Sequence, residues 1–316
     1  MTKIFTLVVL CFLTACTEDS SELRRFQVEW FGYFDTVVVF TGYAVNTEEF
    51  DRYSDEIGSR LADLHRLFDI YNSYEGLNNL HTVNTNAGVA PVAVREEIID
   101  LLLAAREAYE ITGGAVNVAM GAVLRIWHET AALPDLQDLL YASNFIDFAR
   151  IEINEVAGTV FLLDAEMSID VGSIAKGFAA GLVMERATQN GLVAGVLSAG
   201  GHVVAVGTPP DADAWRVGIQ GTETIDTVNI KNATVSVSGG IFRYFEVEEG
   251  RLGHIIDPKT LFPADRFLQV AVIHQNSWMA DVLSTAIFIL PQDEGAALAE
   301  RMNAEVMWLY HDGTKK

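Results

Sequence analysis

Near the end of the chain, Asp281 and Thr285 stand four residues apart in a segment, Met279-Ala280-Asp281-Val282-Leu283-Ser284-Thr285-Ala286, that is otherwise apolar as far as Leu290. On a helix that spacing puts a carboxylate and a hydroxyl on one face. An acid in so apolar a helix needs a cation, a donor or water if it is buried. Oxygen ligands of this kind suit Mg²⁺, which keeps waters and shares phosphate oxygens with a substrate. On these residues alone the alternative stands equally: Asp281 caps the helix near Ser277, and Thr285 bonds back to a carbonyl. A second segment, Asp170-Val171-Gly172-Ser173-Ile174-Ala175-Lys176-Gly177-Phe178, leads from a strand into a helix. Its small residues would let a phosphate approach backbone N–H groups, and Lys176, one turn in, would meet the same charge. It is no Walker loop, and glycines before a helix also serve packing. A third, Gly253-His254-Ile255-Ile256-Asp257-Pro258, ends a hairpin in a proline turn. His254 offers an acid or base near neutral pH, and Asp257 a group to orient a neighbour or fix the turn. The fourth, Thr112-Gly113-Gly114-Ala115-Val116-Asn117-Val118, stops a helix and leads into extended backbone that can hydrogen-bond a flat heterocycle.

These segments need a scaffold. Gln27 to Tyr43 alternates and is rich in β-branched and aromatic residues, which predicts one strand. Apolar residues at helical spacing predict helices over Glu48 to Phe68 and Val94 to Ile111, with the Asn- and Gly-rich stretch Asn72 to Gly88 as a loop between them. A short helical piece is expected over Leu136 to Ala142, a hairpin over Ile151 to Asp170, a helix over Gly172 to Asn190 and a strand over Val193 to Ala199. Strands follow at Trp215 to Gln220 and Thr234 to Val237, then a hairpin from Ile241 to Ile256 turning near Glu249-Gly250. Strand Leu268 to His274, helices Trp278 to Leu290 and Glu294 to Asn303, and strand Glu305 to Tyr310 close the chain. Strands and helices are interspersed without strict alternation, so the expected class is α+β, with mixed sheets flanked by helices.

Half of the 316 residues are apolar, enough for a sizeable core. The formal charge of −22, with no run of Lys or Arg, argues against a nucleic-acid partner. The first residues differ in kind. Lys3 precedes an apolar stretch, Ile4 to Leu13, too short for a permanent membrane helix of about 20 residues, and Leu13-Thr14-Ala15-Cys16 closes it. The pattern resembles a bacterial lipobox. It implies a signal peptide over 1–16, lipidation at Cys16, a tether over 17–26 and a folded domain over 27–316. The protein would then be exported and lipid-anchored to the membrane, facing the periplasm. With Cys11 lost and Cys16 modified, no cysteine remains for disulfides, thiol nucleophiles or metal sites.

In order and spacing the segments together resemble the ApbE family, the FAD:protein FMN transferases, from about Phe34 to the last strand. Phe34-Asp35-Thr36 stands where the family carries Met-Gly-Thr; Tyr71-Asn72-Ser73, Thr112 to Ala115 and Asp170 to Phe178 match its next motifs. Ser198-Ala199-Gly200-Gly201, Trp215 to Gln220, Ser236-Val237-Ser238-Gly239 and His254 to Pro258 follow in the family's order. The resemblance implies transfer of FMN from FAD, a substrate, to a threonine hydroxyl of an acceptor flavoprotein, with Mg²⁺ as cofactor and AMP released. The acceptor class it suggests includes subunits of membrane redox complexes. It further implies that Phe34, Tyr71, Ala115, Val116, Asn117, Asp170, Lys176 and Ile256 line the FAD site, that Ser173, Asp281 and Thr285 hold the metal, and that Asp281 or His254 is the base. Three positions depart from the family pattern: Asp35 replaces glycine, Asn117 a common aspartate and Leu261 a glycine. The alternatives are hydrolysis of FAD to FMN and AMP at the same site, and a flavin-binding lipoprotein without catalysis.

Overall fold

The first structural feature is a hairpin where one strand is expected. Strand β1 (Arg24–Tyr33) turns at Phe34 and Asp35 and returns as β2 (Thr36–Ala44), Tyr33 facing Thr36 across the turn. Both turn residues have positive φ, 51° and 54°. A two-residue hairpin turn wants that backbone, but Phe and Asp are not the Asn-Gly pair that marks it in a sequence. Left-handed backbone costs a side-chain-bearing residue roughly 1–2 kcal/mol, so the turn is strained and its alternation reads as continuous. The computed structural model describes residues 22–129, 132–221, 225–247 and 250–316. The expected signal peptide, Cys16, the first half of the tether and Glu249 lie outside these residues. Of the tether expected over 17–26, Arg24 to Phe26 already belong to β1.

Helix α1 (Thr47–Phe68) follows, capped by Asn46, then α2 (Leu80–Thr85), β3 (Val92–Ala93), α3 (Glu96–Ile111), α4 (Gly121–Glu129) and α5 (Leu136–Ala142). Helix α2 occupies the stretch expected as a loop. Asn79 and Thr82 there form a reciprocal capping box that polar composition conceals. Strands β4 (Ile151–Asn154) and β5 (Thr159–Leu162) make a hairpin shorter than expected, because residues 163–170 leave it to reach Val118, whose carbonyl accepts from the Asp170 N–H. Helix α6 (Ala175–Gln189) begins three residues later than expected and leads to β6 (Gly195–Ala199), β7 (His202–Val206), β8 (Trp215–Gln220) and β9 (Ile225–Ile230). Then come β10 (Ala233–Gly239), β11 (Tyr244–Val247), β12 (Gly250–Gly253), β13 (Gln269–His274), α7 (Ser277–Ile289), α8 (Gln292–Arg301) and β14 (Glu305–Leu309). Strands β3, β7 and β9 and helix α4 have no counterpart among the elements expected from the sequence.

The α+β expectation holds. One seven-stranded sheet runs β1-β2-β6-β7-β10-β13-β14, with smaller sheets beside it. Each pairing between named strands is antiparallel; Met120 and Ser168 form a parallel bridge. Period-2 alternation decides which side chain meets which layer. On β10, Ser236 and Ser238 face α7, whereas Val235 joins the apolar cluster under the β8–β9 hairpin with Trp215, Val217 and Ile219. On β7, His202 faces α7 in the same way and Ala205 faces the hairpin. The opposite face is covered by α1, α6 and α7, whose Leu61, Leu64, Ala179, Val183, Val282 and Leu283 fill the main core with Phe40, Leu197 and Val270.

Helices α6 and α7 touch through small residues. A Cβ on Gly177 would lie 2.6 Å from the Asp281 Cβ and 2.9 Å from the Ser277 carbonyl oxygen, and one on Gly181 would lie 2.8 Å from the Ser277 Cβ. Positions four apart on one helix therefore receive positions four apart on the other. At Gly177 the small residue serves the packing of two helices, the second use open to glycines of this segment.

Candidate functional site

Asp281 is where the two helices and β10 converge. It is 5% exposed, and both carboxylate oxygens accept hydrogen bonds: Oδ2 from the Gly177 N–H at 2.9 Å, Oδ1 from the Ser236 hydroxyl at 3.0 Å. It is not the helix cap, a task that Asn276 performs by accepting from the Met279 N–H. Thr285, one turn on, lies 3.3 Å from the Ser238 hydroxyl, which also meets Ser284 at 2.8 Å. A row of hydroxyls on β10 thus fixes both members of the pair singled out by spacing.

His202 lies beneath them, 1% exposed. The Ser277 hydroxyl donates to the Gly177 carbonyl at 2.7 Å, so the His202 Nε2–H must donate to the Ser277 oxygen at 2.9 Å. That leaves Nδ1 as a bare nitrogen without a hydrogen-bond partner, 3.8 Å from Asp281 Oδ1. Burial pushes the imidazole down to about 4; the Asp281 charge opposes this and the Lys176 charge assists.

A cleft of about 790 Å³ opens beside Asp281 and Thr285. Phe34, Tyr71, Ala115, Val116, Asn117, Asp170, Ser173, Lys176, His254 and Ile256 line it with them, so the fold gathers into one cavity all the site residues chosen from sequence except Cys16. The local reasons differ. Tyr71 follows a turn built on Asp69, whose carboxylate accepts from the backbone N–H groups of Tyr71 and Asn72, the Asn72 amide and the Tyr74 hydroxyl. Burial pushes the Asp69 carboxyl up, but those hydrogen bonds outweigh it and hold it below its ordinary range. Tyr71 itself is 59% exposed, its hydroxyl 3.4 Å from His128 Nδ1; burial and the Asp170 charge raise its pKa, so it stays a neutral phenol.

Lys176 sits in the first turn of α6, its ammonium 3.4 Å from the Gly172 carbonyl. That long contact leaves donors for an anion. Asp170 turns back to accept from the Gly172 N–H at 2.8 Å. Asn117 donates its amide to the Ile146 carbonyl at 2.8 Å and accepts from the Ala119 N–H at 2.9 Å. A carboxylate cannot make the first of these bonds, which accounts for asparagine here.

His254 is held by the Arg243 carbonyl, 2.9 Å from Nδ1. A carbonyl only accepts, so Nδ1 carries the proton and Nε2 the free lone pair. Burial, followed by the Arg243 charge, pushes this imidazole down to about 4 and keeps it neutral. Leu261, the third departure, has φ 65° yet is 5% exposed, packed in a small core with Trp127 and Ile256 while its carbonyl accepts from the Trp127 indole at 3.0 Å. Three cleft residues carry no signature in the sequence: Arg243, His128 and His65. They sit on a loop and on helices whose periodicity reports packing and not their outward positions.

The arrangement suits an elongated anion with a flat ring. Exposed aromatic side chains, Tyr71 and Phe242 (66% exposed), offer ring faces, and Lys176 and Arg243 offer positive charge. Among the described residues no group of three or more His, Cys, Asp or Glu forms a metal cage. The carboxylate of Asp281, the hydroxyl of Thr285 and an oxygen of Ser173, all on the wall of this cleft, make an all-oxygen donor set that fits Mg²⁺ completed by substrate and water.

A model of the ApbE family matches residues 34–308. The FAD:protein FMN transferase of Treponema pallidum (strain Nichols) is 32% identical over 256 residues, which cover 74% of this chain and 71% of that protein. The protein of the same name from Klebsiella pneumoniae (strain 342) is 28% identical over 261 residues, 77% and 81% of the two chains. Among solved structures, the ApbE protein of Thermotoga maritima superposes with a TM-score of 0.84 at 23% identity, over 93% of this chain and 96% of that one. The flavinyl transferase ApbE of Pseudomonas stutzeri gives 0.79 at 22% identity, over 93% of each. At these identities the structural likeness speaks for the fold.

Proposed function

The chain belongs to the ApbE family, and from that premise we propose that it is an FAD:protein FMN transferase that moves FMN onto a threonine hydroxyl of an acceptor flavoprotein and releases AMP. The observation that carries the reading is the junction of Asp281 and Thr285 with the cleft that Tyr71, Lys176 and His254 line. Asp281, Thr285 and Ser173 would hold Mg²⁺, which when bound supplies charge neutralisation at the pyrophosphate of FAD.

The remaining steps fall to the chain's own residues. Tyr71 and Phe34 flank the flavin, and the backbone of Ala115, Val116 and Asn117, with Ile256, offers hydrogen bonds and contact to its ring. Asp170 lies at the same end of the cleft. Lys176 draws the phosphates to the entry of α6, as a point charge. The acceptor threonine oxygen attacks the FMN phosphorus, the bond from that phosphorus to the bridging oxygen breaks, and AMP leaves with that oxygen. Positioning and charge neutralisation dominate such a transfer. His254 is the better base of the two candidates: its Nε2 lone pair is free to take the threonine proton, whereas both oxygens of Asp281 already accept hydrogen bonds in a buried place. The structural task of Asn117 weakens the case for a mere flavin binder, since that departure has its own cause.

The lipobox ending at Cys16 supports a lipid-anchored, periplasm-facing enzyme acting on membrane-associated acceptors. No helix among the described residues is long and apolar enough to cross a membrane. The reading is tested with His254→Ala: FAD binding should persist while the rate of adduct formation on a co-expressed acceptor falls by about 10²–10⁴. Adduct formation at the unaltered rate would remove His254 from the mechanism.

A further inference from the structure

We infer that His65 is a positioning residue that holds the Phe34–Asp35 turn against the cleft and thereby sets how tightly the cleft takes FAD; the affinity half rests on the function proposed above. The turn carries a residue that disfavours it. Phe34 and Asp35 both have side chains on left-handed backbone, φ 51° and 54°; Asp tolerates that region better than most residues, and Phe is the misfit. An external partner compensates. His65, in the last turn of α1, accepts the Phe34 N–H on Nδ1 at 3.2 Å. The Phe34 ring stands edge-on to the imidazole, centroids 5.6 Å apart at 77°, and the Tyr33 ring is tilted towards the same imidazole at 6.4 Å. The mount is rigid, because the neighbouring Leu64, Leu67 and Phe68 are 0–4% exposed in the main core. Phe34, Asp35 and His65 all line the cleft. The clamp therefore joins the core directly to a wall of the binding site, at a turn with two consecutive side-chain-bearing residues on left-handed backbone.

The consequence is a defined pattern of epistasis. His65→Ala removes the acceptor and the ring contact, and the turn then samples other backbone shapes. Hydrogen exchange at the Phe34 amide of the whole, ligand-free chain should quicken by about ten-fold or more. FAD affinity, read from flavin fluorescence, should weaken roughly three- to ten-fold, since the wall is no longer preorganised. Adding Asp35→Gly should restore most of that affinity, because glycine adopts positive φ without help. A His65 that merely stabilised α1 would lower the unfolding temperature, and Asp35→Gly would not rescue it. Unchanged exchange at Phe34 overturns the clamp. Faster exchange with unaltered FAD affinity, or failure of Asp35→Gly to rescue, overturns its link to binding. A wild-type chain that fails to bind FAD sinks the proposed function and the affinity half together, while the exchange comparison still decides the clamp.

Discussion

Gly177→Ala is the substitution in which packing and chemistry separate most cleanly. A Cβ there lies 2.6 Å from the Asp281 Cβ, 2.9 Å from the Ser277 carbonyl oxygen and 3.0 Å from the Trp278 Cα, against 3.4 Å or more for ordinary contact. Two of the three atoms are backbone, so α7 must retreat from α6 by about 0.8 Å at this point. Overpacking of this kind costs about 1–3 kcal/mol, and the better helix propensity of alanine returns about 1 kcal/mol. The net loss of roughly 0–2 kcal/mol corresponds to a melting temperature lower by no more than roughly 8 °C. The effect on the site is larger. Asp281 moves with α7 and its bond to the Gly177 N–H lengthens, and a misplacement approaching 1 Å costs on the order of 10²-fold in rate. The assay is the rate of FMN attachment to an acceptor at saturating FAD and Mg²⁺, alongside thermal unfolding of the same preparation. Gly181→Ala, which meets only the Ser277 side chain, serves as the control: it should cost stability and spare the rate far more. A Gly177→Ala enzyme with the wild-type rate would refute the claim that this contact sets the carboxylate.

Protonation of His202 supplies a second test. Its folded pKa of about 4 lies below the ordinary 6.5, so between these values the unfolded chain binds more protons and stability falls as pH drops. The contribution is complete above pH 6.5 and lost towards pH 4, by up to roughly 3 kcal/mol, which urea midpoints of the metal-free chain across that range would read. His254, also held at about 4, adds a slope of the same sign over the same range, so His202→Gln should remove about half of it; an equally steep slope in the variant counts against the assignment. Leu261→Gly relieves a left-handed residue by about 1 kcal/mol but empties a buried site worth about 2–5 kcal/mol, so it should destabilise the fold without slowing transfer. A more stable glycine variant, seen by calorimetry, would contradict this balance. Asn117→Asp forfeits the amide bond to the Ile146 carbonyl and sets a carboxylate against it, at a cost of about 1–3 kcal/mol in denaturant unfolding. It should not raise the transfer rate, and a faster enzyme would show that asparagine is a defect rather than a structural choice.

How much the chain discloses depends on the kind of signal. Long helices were legible because burial imposes a period: Phe50, Tyr53, Ile57, Leu61 and Leu64 mark α1, and all are buried. Short elements were not. Strand β7 is five residues following a glycine turn, and α2 depends on the Asn79–Thr82 cap, which looks like loop composition. The β1–β2 turn was missed for the opposite reason, since Phe34-Asp35 continues the alternation of a strand while the backbone pays for the reversal. For the site, residues in motifs came together in one cleft, yet the forces acting on them did not show. That Asp281 is held by Gly177 and Ser236, or that His254 keeps its proton on Nδ1, follows from contacts across 104 and 45 residues of chain, or from a loop carbonyl, that no local pattern encodes.

The most direct measurement is the mass of an acceptor flavoprotein after incubation with the chain, FAD and Mg²⁺, made in parallel with Asp281→Asn. Asparagine keeps an acceptor for one of the two hydrogen bonds but loses the charge that would hold the metal. The expected result is one FMN attached through a threonine, an equal amount of AMP, and no adduct with the variant. An acceptor of unchanged mass beside free FMN and AMP, or an adduct formed equally well by Asp281→Asn, would contradict it.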